Sequence, residues 1–137
     1  ERGAEDAAAP EFPAGDERIL FVDDEIALCE LARVSLERHG YRVTPCSSGE
    51  EALQVFRADP DRIDVVVTDL TMPRMTGLEL ARHLLRERPD LPVILCTGFG
   101  DRLGRDRALE AGVCDFVLKP IVPIELARRI RAAASRD

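Results

Sequence analysis

Two adjacent acids, a lone aspartate, a threonine and a lysine carry the chemistry this chain can do: Asp23 and Asp24, Asp69, Thr97, and Lys119. Each stands at the end of a short apolar run: Ile19-Leu20-Phe21-Val22, Val65-Val66-Val67, Val93-Ile94-Leu95-Cys96 and Phe116-Val117-Leu118. Runs this brief, without alternation, read as strands covered on both faces. In an open parallel sheet, ligands gather at the carboxyl ends of the strands. A single aspartate there also serves simply to end a strand or cap a turn, so the set carries the reading and Asp69 alone does not. Three carboxylates meeting at one edge repel one another. Lys119 supplies one positive charge, and a hard, oxygen-seeking cation such as Mg²⁺ would supply the rest. A hydroxyl and an ammonium beside an aspartate–metal pair are the parts needed to receive a phosphoryl group. Asp69 would be the nucleophile that forms an acyl phosphate, Lys119 would stabilise the transferring oxygens, and Thr97 would hydrogen-bond one of them.

The elements that must position these groups follow from periodicity. After the acid pair, Ile26 to His39 carries a helical stripe at Leu28, Leu31, Ala32 and Leu36, with Gly40 as its stop. Tyr41 to Thr44 reads as a strand. Ser47 and Ser48, with Glu50 and Glu51 at capping-box spacing, open a helix with Ala52, Leu53, Val55 and Phe56. Pro73 and Gly77 keep the loop after Asp69 from continuing the strand. Thr76 caps a helix that buries Leu78, Leu80, Ala81, Leu84 and Leu85. Gly98, Gly100 and Gly104 make a loose entry to a short, mobile fourth helix stopped by Gly112, because each glycine costs a helix about 1 kcal/mol. Pro123 opens the last helix through Leu126, Ile130 and Ala133. Strands and helices alternate five times, which predicts an α/β fold with a parallel sheet covered on both faces.

Composition bounds the function classes. The chain has 137 residues, 45% hydrophobic and 33% charged, with a net charge of −7: a single globular domain with a tail. No basic stripe offers a footprint for direct nucleic-acid binding. No run approaches a membrane span, so the protein is expected to be cytoplasmic, or the cytoplasmic part of something larger. Glu1 to Asp16 is rich in Ala, Pro, Gly and acid, and reads as a disordered tail or interdomain linker before a domain spanning 17–137. The chain begins with Glu, as a fragment of a longer polypeptide would. Cys29, Cys46, Cys96 and Cys114 have no zinc-like spacing and read as reduced, mostly buried thiols.

Val22-Asp23-Asp24-Glu25, Thr68-Asp69-Leu70-Thr71-Met72-Pro73 with Gly77, Cys96-Thr97-Gly98 and Phe116-Val117-Leu118-Lys119-Pro120 together resemble the receiver domain of two-component response regulators. The resemblance runs from Arg18 to about Ala134. It implies a flavodoxin-like doubly wound sheet of five parallel strands, ordered 2-1-3-4-5, with five helices. The chemotaxis member of this family is a known example of that order, so the order comes from the resemblance. On the same ground Asp69 is the phosphoacceptor, Asp24 a direct Mg²⁺ ligand and Asp23 a partner acting through metal-bound water. The backbone carbonyl of Thr71 completes the protein's share of the metal shell. Thr97 and Lys119 match the phosphoryl contacts of the activation switch, and Phe116 the switch aromatic. The implied partner is a histidine kinase or a histidine phosphotransfer domain. Phrasing such as Leu78-Glu79-Leu80-Ala81 is similar to receivers attached to hybrid sensor histidine kinases, which is the expected parent, ahead of a stand-alone or truncated regulator. Phe99, two residues beyond Thr97, would shield the acyl phosphate and slow its loss. A Mg-dependent phosphohydrolase with an aspartyl nucleophile is the alternative of another class; it wants an acid at position 71, where this chain has Thr71.

Overall fold

β-branched and aliphatic runs set the sheet. In a computed structural model, which describes residues 11–98 and 100–135, they form β1 (Arg18–Val22), β2 (Arg42–Cys46), β3 (Val65–Asp69), β4 (Val93–Thr97) and β5 (Asp115–Leu118). All four pairings are parallel and the spatial order is β2-β1-β3-β4-β5. Between them lie α1 (Ile26–Glu37), α2 (Gly49–Ala58), α3 (Gly77–Glu87), α4 (Arg102–Ala111) and α5 (Pro123–Ala134), with a 3₁₀ turn at Pro60–Arg62. This is the flavodoxin-like, doubly wound α/β architecture expected from the sequence. No helix among the described residues is long and apolar enough to cross a membrane.

Alternate residues of a strand point to opposite faces, and each strand accordingly feeds two cores. Leu20, Val22, Val66, Val93 and Leu95 pack with Phe56 of α2, Leu80 and Leu84 of α3 and Ala108 of α4. Ile19, Phe21, Val65, Val67, Ile94 and Val117 pack with Leu36 of α1 and Leu126 and Ile130 of α5. β3 and β4 are buried along their whole length, as strands covered on both sides must be.

Helix ends follow their capping chemistry. Thr76 and Glu79 close a reciprocal capping box on α3. Ser48 caps α2, but Glu51 turns back to the N–H of Ser47 instead of that of Ser48. Gly112 ends α4 in the left-handed region at φ 105°. Two expectations shift. The inward stripe of α1 is Cys29, Ala32 and Leu36, while Leu31 is exposed, because the helix is rotated to seat the thiol of Cys29 behind β1. β2 runs two residues further than Thr44, through Pro45, which an edge strand tolerates because one side of its ladder is unpaired.

Candidate functional site

The carboxyl ends of β1, β3, β4 and β5 deliver their polar residues to one edge. β3 ends on Asp69, which is 5% exposed, and β4 on Thr97, 1% exposed. Asp23 follows β1 directly and is 1% exposed, whereas Asp24 beside it stands in solvent. Carboxylate oxygens of Asp23, Asp24 and Asp69 all lie within 4.8 Å of one another. Lys119, just past β5, places its Nζ 3.1 Å from Asp69 Oδ2 and 3.5 Å from Asp23 Oδ2. Its own N–H donates to the carbonyl of Thr97, so β4 and β5 are tied where the site begins. The Lys119–Pro120 peptide is cis.

The electrostatics of this edge are unbalanced. Burial pushes the Asp69 carboxyl above its usual range, and the neighbouring charge of Asp23 adds to that; the hydrogen bond from Lys119 opposes both without cancelling them. Burial alone would lower the Lys119 pKa, but its bond to Asp69 and the charges of Asp69 and Asp23 hold it above the usual lysine value. Both partners therefore shift upward: two acids and one base share one contact, and the base is the group in demand. Three carboxylates against one ammonium leave two formal negative charges uncompensated. Asp23 Oδ2, although buried, accepts no hydrogen bond. An all-oxygen donor set, with a buried oxygen whose nearest cation is the shared Lys119 at 3.5 Å, and a twofold charge deficit fit a hard divalent cation.

Local structure holds each acid. Asp23 Oδ1 accepts from the N–H of Glu25 at 2.8 Å, its N–H donates to the carbonyl of Cys46, and its carbonyl accepts from Cys29 Sγ at 3.2 Å. Asp69 Oδ1 lies 3.5 Å from the N–H of Thr71, and Thr68 Oγ1 donates to the carbonyl of Asp69. A methyl group at Gly77 would stand 2.1 Å from that carbonyl, so only glycine lets the start of α3 return so close to the end of β3. Arg74, at φ 67°, turns the intervening loop through the left-handed region. Thr97 Oγ1 is buried and has no partner, an unusual state for a hydroxyl that could rotate to find one.

Asp23, Asp24, Asp69 and Lys119 thus meet in one cluster, and Thr97 and Thr71 adjoin it by their places on β4 and the loop after β3. Phe116 is partly buried against the core formed with α2, α3 and α4. Phe99 lies outside the described residues. Sequence reasoning missed the parts played by Glu25, Cys29 and Arg74. A backbone N–H, a thiol beneath a carbonyl and an arginine with positive φ leave no motif. Burial pushes the thiol of Cys29 up to about 11 and that of Cys96 up to about 12, so both stay protonated beside the acids. No disulfide joins the described cysteines.

A doubly wound sheet with acids, a hydroxyl and an ammonium at its carboxyl edge defines a class of α/β domains that carry their site at the strand ends. Comparison with known proteins narrows it. Residues 19–131 match the model of the response regulator receiver domain, and the chain belongs to that family. It is 39% identical over 120 residues to a probable transcriptional regulator, ycf27, of Guillardia theta, covering 88% of this chain and 46% of that protein. It is 41% identical over 119 residues to the response regulator MprA of Mycolicibacterium vanbaalenii, covering 87% and 51%. The chain therefore spans about half the length of these curated relatives. Among solved structures, a response regulator receiver domain protein from Clostridium thermocellum superposes with a TM-score of 0.84 at 32% identity, covering 88% of this chain and 95% of that one.

Proposed function

We propose that this domain takes a phosphoryl group from a phosphohistidine onto Asp69 and relays a two-component signal by the rearrangement that follows. The observation that carries the reading is the meeting of buried Asp69 with Lys119 and the Asp23–Asp24 pair. A carboxylate oxygen of Asp69 bonds to phosphorus as the phosphorus–nitrogen bond of the donor breaks, and the electron pair of that bond stays on the imidazole nitrogen. Lys119 holds Asp69 Oδ2 and meets the charge arriving on the phosphoryl oxygens. Thr97 Oγ1, without a partner in the free domain, donates to one of those oxygens, and Phe116 moves inward behind it. Mg²⁺, held by Asp23, Asp24, Asp69 and the carbonyl of Thr71, would supply charge neutralisation during transfer.

Incubation with acetyl phosphate and Mg²⁺, followed by intact-mass measurement, tests this. The native chain gains one phosphate and Asp69→Asn gains none; equal gain in both would remove Asp69 from the role.

The donor is a histidine kinase or a histidine phosphotransfer domain, and the setting is cytoplasmic. For the parent protein, the weight moves from the hybrid sensor kinase expected from phrasing to a response regulator. The matched relatives carry the names of regulators, and the receiver-like half accounts for about half of their length. In such a parent, any DNA contact would come from a segment other than this one.

A further inference from the structure

Residues 11–17 precede the segment matched by the family model and carry no helix or strand, yet they are fastened to the domain along their length. The ring of Phe12 stacks on His39, with centroids 3.9 Å and planes 10° apart, and Phe12 packs against the core shared by α1 and α5. The hydroxyl of Tyr41 donates to the carbonyl of Pro13 at 2.6 Å. The N–H of Gly15 donates to the carbonyl of His39 at 3.1 Å, and the carbonyl of Glu17 accepts from the N–H of Arg42. The carboxylate of Glu17 pairs with Arg131 in the last turn of α5. Two glycines make the fit possible. Gly40 has a φ of 103°, and a methyl group on it would stand 2.2 Å from the carbonyl oxygen of Gly15; one on Gly15 would stand 2.7 Å from the ring of Tyr41. The two backbones approach more closely than any side chain allows.

We infer that residues 11–17 are a strap whose docking surface is the α1–β2 turn (His39, Gly40, Tyr41) together with Arg131 of α5. Ordering a Pro- and Gly-bearing segment costs conformational entropy at every residue, and a stacked ring, three hydrogen bonds and an ion pair are what offsets it. The strap sits at the amino edge of the sheet, one strand length from Asp69, roughly 16 Å at the usual rise. It fixes the attachment point of the preceding chain there and leaves the acidic edge clear for a phosphodonor. The Glu17–Arg131 pair makes the same strap a tether on α5.

Hydrogen exchange on the full chain tests this. The Gly15 amide is expected to be protected, and Phe12→Ala and Tyr41→Phe to speed its exchange about tenfold, the equivalent of one hydrogen bond. Exchange at Val66, in the middle of the sheet, serves as the control for global unfolding and should change little in Tyr41→Phe. Loss of Gly15 protection in either variant, beyond any change at Val66, supports the strap. A Gly15 amide that exchanges at the unprotected rate in the native chain, or whose protection is the same in both variants as in the native chain, overturns it.

Discussion

Asp64 and Asp69 bracket the same strand, β3, and the chain treats them oppositely. At the amino edge, Asp64 accepts from the N–H and Nε of Arg18 on one oxygen and from Nη2 on the other, at 2.8 to 3.1 Å. Burial would raise its pKa, but the Arg18 bonds more than reverse that and hold it below the usual range. At the carboxyl edge, Asp69 has one ammonium to share with Asp23 and sits above the usual range. One carboxylate is there to keep the sheet together. The other is left under-compensated beside a second acid, at the expense of stability, as groups at functional sites often are.

Breaking the pair in turn should separate these roles. The largest effect is on chemistry: Asp69→Asn abolishes phosphate uptake from acetyl phosphate, while Asp64→Asn keeps it within about twofold, because Asp64 lies a strand length away. Next comes the cation. Mg²⁺ at ten to a hundred times its dissociation constant should stabilise the native chain and Asp64→Asn by roughly 1 to 3 kcal/mol, seen as a rise in Tm. That gain should vanish in Asp69→Asn.

Lys119→Ala leaves two acids facing each other without a base and should cost about 2 kcal/mol near pH 7 by urea denaturation, less than for a fully dry pair because Lys119 is partly exposed. The deficit should shrink as the medium is acidified through the carboxylate range. An undiminished deficit at low pH would mean that Lys119 acts through packing.

The smallest effects have opposite signs. Asp64 has a depressed folded pKa, so its contribution is present above the ordinary carboxylate value near 3.9 and fades as pH falls below it. Asp69 has a raised folded pKa, so the folded chain holds that proton better, and stability is lost as pH rises from the ordinary value through the raised one. At pH 7, Asp64→Asn should destabilise by about 1 kcal/mol and Asp69→Asn should stabilise by a similar amount, of order 1 kcal/mol. Denaturation midpoints from about pH 2 to 8 would show the Asp69 difference narrowing as the pH falls toward the ordinary carboxylate value and the Asp64 difference narrowing only below it. Shifts of the same sign would break the contrast.

How much of this was legible in the sequence depended on where the information resides. β3 and β4 end where their apolar runs end, because a buried strand needs apolar side chains on both faces and the first polar one marks its exit. The site groups at Asp23, Asp69 and Lys119 were found through those exits. The orientation of α1 was not: Leu28, Leu31, Ala32 and Leu36 make as good a stripe as Cys29, Ala32 and Leu36, and only packing against the sheet chooses between them. Pro45 hid the second half of β2, since proline is compatible with a strand only at an edge and sequence alone does not show which strand is the edge. Phe12 was hidden by its surroundings, one ring after a stretch of Ala, Pro and acid, and the groups that hold residues 12–15 (His39, Gly40 and Tyr41) lie far along the chain.

The bare α-carbon of Gly77 sets a rule for anyone moving this pocket into another scaffold. Copying the three acids, the hydroxyl and the amine would import the reagents but not the clearance beneath them, because the entrance to α3 presses on the carbonyl of Asp69. A graft carrying alanine there would have to open the loop that holds Thr71 and so misplace the aspartate it was built to display. The smallest residue in the neighbourhood has to travel with the largest charges.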